Sequence, residues 1–131
     1  MARCLVDDLA VRVVLVDSIT EISRDDAGSI VVSGSHGGRS AAGFASDVPA
    51  LIYVFNDAGV GKDGAGISGL YDLDGLGIAA VAVGHDSARI GDALDTFQNG
   101  EIRHANAQAH KEGVMIGSSV RAACSAIAPS R

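Results

Sequence analysis

Large rings are scarce in this chain of 131 residues, which has no tryptophan, two tyrosines and three phenylalanines. A core without them has to be filled by Val, Ile, Leu and Ala, and small side chains let helices lie close against a sheet. Basic residues are also few: ten Lys and Arg stand against sixteen Asp and Glu, for a net charge of −6. That balance repels a phosphate backbone, so nucleic acid is not an expected partner. There are two cysteines, Cys4 and Cys124, without Cys-x-x-Cys spacing. This excludes a disulfide framework and fits two buried thiols in a reduced, cytoplasmic protein. No apolar run approaches the roughly 18 residues of a membrane span, and the first residues lack the apolar stretch of a signal peptide. One soluble domain over residues 1–131 is expected, with 1–10 as a lead-in, where Asp7 and Asp8 are solvated or capping, and 128–131 as a frayed tail.

What the chain does contain is a regular alternation of apolar runs and polar, glycine-rich breaks. Residues 11–16, 29–33, 50–55 and 78–83 are the near-continuous runs of strands buried on both faces, and 114–116 reads as a short last strand. Helices are predicted at 39–45, stopped by Asp47-Val48-Pro49, and at 67–76. A third follows from Ile90, Ala93, Leu94 and Phe97 at core-facing spacing, ending at Asn99-Gly100. Segment 101–112 reads as another helix with His104 and His110 on its solvated face, and 118–127 as a C-terminal helix capped by Ser118 or Ser119. The link after residue 16 carries a capping box, Ser23-x-x-Asp26, and has room for a helical turn only, leaving antiparallel pairing open there. The pattern implies a single-domain α/β fold with a mostly parallel, doubly wound sheet of four to five strands, flavodoxin-like or Rossmann-like, and helices on both faces.

Right-handed crossovers place every strand-to-helix loop at one edge of such a sheet. The richest of these loops is 56–66, Asn-Asp-Ala-Gly-Val-Gly-Lys-Asp-Gly-Ala-Gly. Collected at that edge are Asp17 and Ser18; Ser35, His36 and Gly37; Asn56, Asp57, Gly59, Gly61, Lys62 and Asp63; and His85, Asp86, Ser87 and Arg89. His36 and His85 are the candidate acid/base groups because imidazole titrates near neutrality, with Asp57, Asp63 or Asp86 to orient them and Lys62 beside them to hold, with Arg89, a substrate carboxylate or phosphate. Ser35, Gly37, Asn56, Gly59, Gly61, Asp63, Ser87 and Arg89 are candidate binding residues for an anion, helped by amides of the loop and of the next helix start. Each polar residue also has a structural reading: Asn56 and Asp57 suit an Asx-turn, and Asp86 or Ser87 an N-cap.

Three patterns run through the same residues. Gly59-x-Gly61-x-x-Gly64 matches a dinucleotide fingerprint, with Asp86 near the place of the ribose-binding acid, but Asp63 sets negative charge against a pyrophosphate. Gly61-Lys62 falls short of a P-loop, because Asn56 and Asp63 stand where Gly and Ser or Thr belong. Val13-Val14-Leu15-Val16-Asp17, with Asp57 after the third strand, Asp63-Gly64 and Ser87-Ala88, resembles response-regulator receiver domains, a resemblance that implies phosphoryl transfer to Asp57. It departs from them at Ser18, which replaces the second acid, and at Lys111, which precedes the last strand. The expected function is a small enzyme using acid/base chemistry on a small anionic metabolite, by hydrolysis or lyase cleavage of an amide or C–N bond. The alternative is a non-catalytic nucleotide- or anion-binding, or receiver-like, regulatory module. No cofactor is expected, with a divalent metal on His36, His85, Asp57 and Asp86 as an open variant. A homo-oligomer would complete the crevice.

Overall fold

Four apolar runs pair side by side at the centre of the computed structural model, which describes residues 3–6 and 10–127. They are β2 (Val13–Val16), β3 (Ile30–His36), β4 (Ile52–Asn56) and β5 (Ala80–Val83), parallel and in that order. Two antiparallel strands, β1 (Arg3–Val6) and β6 (Ile102–Ala105), complete a six-stranded sheet in sequential order β1-β2-β3-β4-β5-β6. The class is α/β as expected, but the sheet is mixed and wider than four to five strands. Its order never reverses, so it lacks the switch point of a doubly wound sheet.

Side chains alternate across the pleat and make two cores. Val13, Leu15, Ile30, Val32, Ile52, Val54, Val81 and Val83 face one side. There they meet Ala93 and Phe97 of α3 (Ala93–Asn99), Ala109 of α4 (Ala107–Lys111), and Val120 and Cys124 of α5 (Val120–Ala126). Val14, Val16, Val31, Tyr53, Phe55, Ala80 and Ala82 face the other side, against α1 (Arg39–Ala45) and α2 (Ser68–Asp74). Burial pushes the Cys124 thiol up to about 12 against the opposing charge of Arg121, so it is an inert core group. Cys4 is only half-buried. Among the described residues no helix is long and apolar enough to cross a membrane.

Several sequence expectations change here for local reasons. The link between β2 and β3 is two 3-10 turns, Ile19–Glu21 and Arg24–Asp26, and it suffices for parallel pairing. In the second, the buried Asp26 carboxylate accepts the Ser23 N–H at 2.9 Å, as the capping-box pattern predicts. β3 runs past residue 33 to His36, with residues 33–35 lacking register partners on β4. Residues 101–112 are not one helix: 102–105 join the sheet, and the fully buried Asn106 caps α4 by accepting the Ala109 N–H at 2.9 Å. Residues 114–116 form no strand, since Ile102 takes Gly117 and Ser118 as backbone partners instead. α3 starts only at Asp92, whose side chain accepts the Asp95 N–H, so Ile90 and Leu94 remain exposed while Ala93 and Phe97 are buried. The lead-in holds β1, and Asp7, Asp8 and the tail 128–131 lie outside the described residues.

Two glycines let α2 press against the strand exits. A Cβ on Gly66 would stand 2.0 Å from the Asp57 carbonyl oxygen, and one on Gly69 would stand 2.2 Å from that of Gly38. Because backbone opposes backbone, Gly66→Ala and Gly69→Ala are each expected to lower stability by about 3 kcal/mol, read as a fall in urea midpoint. Gly43→Ala, inside α1 with nothing within 4 Å of its Cβ, is expected to raise stability by about 0.5–1 kcal/mol. Equal midpoints for the three would contradict this packing.

Candidate functional site

β4 delivers Asn56 and Asp57 to the strand-exit edge between β3 and β5. Asn56 is fully buried and structural: its Nδ2 donates to the Ala88 carbonyl at 3.0 Å and its Oδ1 accepts the Ala58 N–H at 2.8 Å. Asp57 is 5% exposed. Its Oδ1 accepts the N–H of Gly59 at 2.8 Å and of His85 at 3.0 Å, and lies 3.3 Å from His85 Nδ1. Its Oδ2 is 3.1 Å from Nε2 of His104. Burial alone would raise the pKa of this carboxyl, but the Gly59 and His85 amides and the His104 ring outweigh it and hold the group below the ordinary aspartate value.

The loop leaving Asp57 is bent into left-handed backbone at Ala58 (φ 50°), Val60 (φ 67°) and Asp63 (φ 57°), as well as at Gly59, Gly61 and Gly64. Three non-glycine residues there, one of them β-branched, mark a strained segment. It is held closed by Val60 N–H to Asp57 carbonyl and Gly66 N–H to Val60 carbonyl, both at 2.7 Å. The amide of Gly59 goes to Asp57 and that of Gly61 to the Gly59 carbonyl, so neither points outward for an anion. In α2 the Gly69 amide is likewise taken by the Gly37 carbonyl at 2.8 Å.

The other candidates divide by environment. Ser35 accepts the Ile19 N–H at 2.9 Å, and Ser87 donates to Gly84 and accepts from Glu101, so both are structural. The anticipated N-cap role of Asp86 or Ser87 falls to Asp92. Asp86 pairs with Arg103 Nη1 at 3.2 Å. His85, Asp86, Arg89 and Asp95 line an open depression of about 300 Å³. His85 is 62% exposed at its side chain, and Arg89 lies beside Asp95, whose carboxylate accepts the Arg89 N–H at 2.7 Å and is held below the ordinary aspartate value first by that bond and also by the guanidinium charge. His36, Lys62 and Asp63 are exposed at the same edge, and their side chains make no hydrogen bond or ion pair among the described residues. The structure therefore brings together Asp57, His85, Asp86 and Arg89, and leaves His36 and Lys62 as neighbours without contact to them.

His104 and Arg103 are the site residues that sequence reasoning missed. Reading 101–112 as one helix put His104 in solvent, whereas strand alternation over 102–105 followed by Asn106 as a cap was the available signal. An ionised carboxylate beside imidazole Nδ1 fixes that ring and stabilises its protonated form, leaving Nε2 to exchange protons. With both oxygens engaged and the group buried, Asp57 is better placed to orient a histidine than to accept a phosphoryl group. Among the described residues no group of three or more His, Cys, Asp or Glu side chains is placed to hold a metal ion. No protein-family model, curated protein or solved structure matches this chain.

Asp57 holds its proton more weakly in the folded than in the unfolded chain. It therefore contributes stability that is complete above its unfolded pKa and lost as pH falls through the lower folded value. Asp57→Asn is expected to cost about 1–3 kcal/mol at neutral pH, because its buried donors lose a charged acceptor. Its unfolding free energy should also decline less steeply than wild type on acidification. An unchanged acid slope in urea titrations would contradict the assignment.

Proposed function

We propose that this chain is an enzyme acting by acid/base catalysis, in which His85 exchanges protons with substrate through Nε2 and Asp57 orients its ring. The observation that carries this reading is one buried, ionised carboxylate facing a half-open imidazole beside a strained loop, since strain and shifted carboxylates concentrate at working sites. The substrate class follows from Arg89, whose guanidinium shares the depression with His85 and suits the carboxylate or phosphate of a small anionic molecule.

Cleavage of an amide or other C–N bond fits these groups. In hydrolysis His85 takes a proton from water as its oxygen bonds to the carbonyl carbon. The imidazolium, stabilised by Asp57, then returns that proton to the departing nitrogen as the C–N bond breaks. In lyase chemistry the same nitrogen removes a proton from the carbon next to the one that bears the amine, the freed electron pair forms a C=C bond as the C–N bond breaks, and the imidazolium returns the proton to the departing amine. We propose a cytoplasmic homo-oligomer, in which a second copy covers the open depression. The openness of that depression also suits a module that captures an anion without turning it over, and the two readings separate experimentally.

Purified protein screened against small carboxylates, amides and phosphates should show thermal stabilisation by a turned-over compound, about 2.7 kcal/mol at 100 times its Kd. His85→Ala, at an exposed position, is expected to keep its stability within about 0.5 kcal/mol and to lose about 10²–10⁴-fold in turnover. Arg89→Ala should raise KM with little change in kcat. A ligand that binds wild type and His85→Ala equally well, with no product from wild type, would establish the binding module instead.

A further inference from the structure

The second imidazole on Asp57 comes from an edge strand. β6 pairs with β5 so that Val81 faces Ala105, Ala82 faces His104 and Val83 faces Ile102, which leaves Arg103 as an extra, bulged residue. In a regular strand residues 103 and 104 would point to opposite faces. Here Arg103 reaches the turn that carries His85, and His104 reaches the Asp57 carboxylate that accepts the His85 amide. Arg103 pairs with Asp86 at 3.2 Å and its Nε with Glu101 at 2.9 Å, while His104 lies 3.1 Å from Asp57. The nearby charges of Asp86, Arg103 and Glu101 thus satisfy one another and leave Oδ2 of Asp57 to His104.

The carboxylate torsion of an aspartate is soft and nearly two-fold, so a donor on one oxygen alone does not fix its plane. Oδ1 accepts the backbone N–H of Gly59 and of His85 and lies 3.3 Å from the His85 ring Nδ1, and Oδ2 meets Nε2 of His104, which is 26% exposed and held by the β5 ladder. A carboxylate that is ionised has no hydrogen to give, so the hydrogen of the 3.1 Å bond sits on Nε2 of His104. We propose that His104 is a positioning residue: by donating to Oδ2 it locks the Asp57 carboxylate so that Oδ1 holds His85 in its Nδ1–H tautomer, with Nε2 turned to solvent. This rests on the assignment of His85 as the proton-transfer group.

Nitrogen-15 NMR of the imidazoles in the full chain, at alkaline pH where the rings are neutral, tests it without needing a substrate. Wild type and His104→Gln, whose amide nitrogen can stand in for Nε2, are expected to show His85 predominantly as Nδ1–H. In His104→Ala and His104→Asn, whose amide is too short to reach, His85 should revert to the Nε2–H form that free histidine favours. Retention of Nδ1–H in His104→Ala or His104→Asn, or its loss in His104→Gln, would overturn the positioning role and leave the assignment of His85 intact. A wild-type His85 in the Nε2–H form would remove both.

Discussion

The carboxylate of Asp57 is the constraint on which the strand-exit edge depends. Where the sheet ladder already sets β4, β5 and β6 side by side, it ties together by side chain the loop after β4, the turn after β5 and the edge strand β6. Left-handed backbone at Ala58, Val60 and Asp63 costs on the order of 1 kcal/mol or more per residue. A hydrogen bond to a charged group contributes about 1.5–3 kcal/mol. Two amides and an imidazole on one buried anion therefore offset the strain of the loop that wraps it. The same bonds outweigh burial, which alone would raise the pKa of this carboxyl.

The topology explains why the site takes this form. Sequential parallel strands offer no crevice where the strand order reverses, which is where α/β proteins usually place a ligand. Irregular pairing supplies the equivalent. β3 loses register with β4 just before His36, and β6 bulges at Arg103 just before His104, so both irregularities lie beside the end of β4. Bulges re-aim side chains, and the one at Arg103 precedes the His104 ring that meets Asp57 at the exit of β4. Among the described residues no buried side-chain nitrogen or oxygen lacks a hydrogen-bond partner. The buried polar groups of this edge, Asn56 and Asp57 among them, are thus held in place by the protein itself, the kind of preorganisation that acid/base chemistry exploits.

Much of this was legible in the chain. α1 at 39–45 followed from Gly37-Gly38 before it and Asp47-Val48-Pro49 after it, and the four parallel strands from their unbroken apolar runs. Asp57 and His85 could be placed at one edge because crossover handedness is general. Other features depended on tertiary pairing that local pattern does not encode. Ile102, Ala105 and Ala109 sit at helical spacing, so the strand and its His104 were hidden behind a plausible helix, and only the buried Asn106 divides the two. Ile90 and Leu94 extended a helical stripe across the Asp92 cap, yet Gly91 is bonded to Gly34 and holds Ile90 outside the core. Ser35, Asn56 and Ser87 looked like binding groups because a polar residue that serves backbone has the same letter as one that serves a ligand.

The most direct measurement is a carbon-13 titration of the Asp57 carboxyl by NMR, on the full chain under conditions where the fold survives acid. The account predicts a midpoint below the ordinary aspartate value of about 3.9, moving upward in His104→Ala as one of its donors is lost. A wild-type midpoint at or above that value would mean that burial outweighs the amides and the imidazole, and that Asp57 does not hold the strand-exit edge together as a charged group.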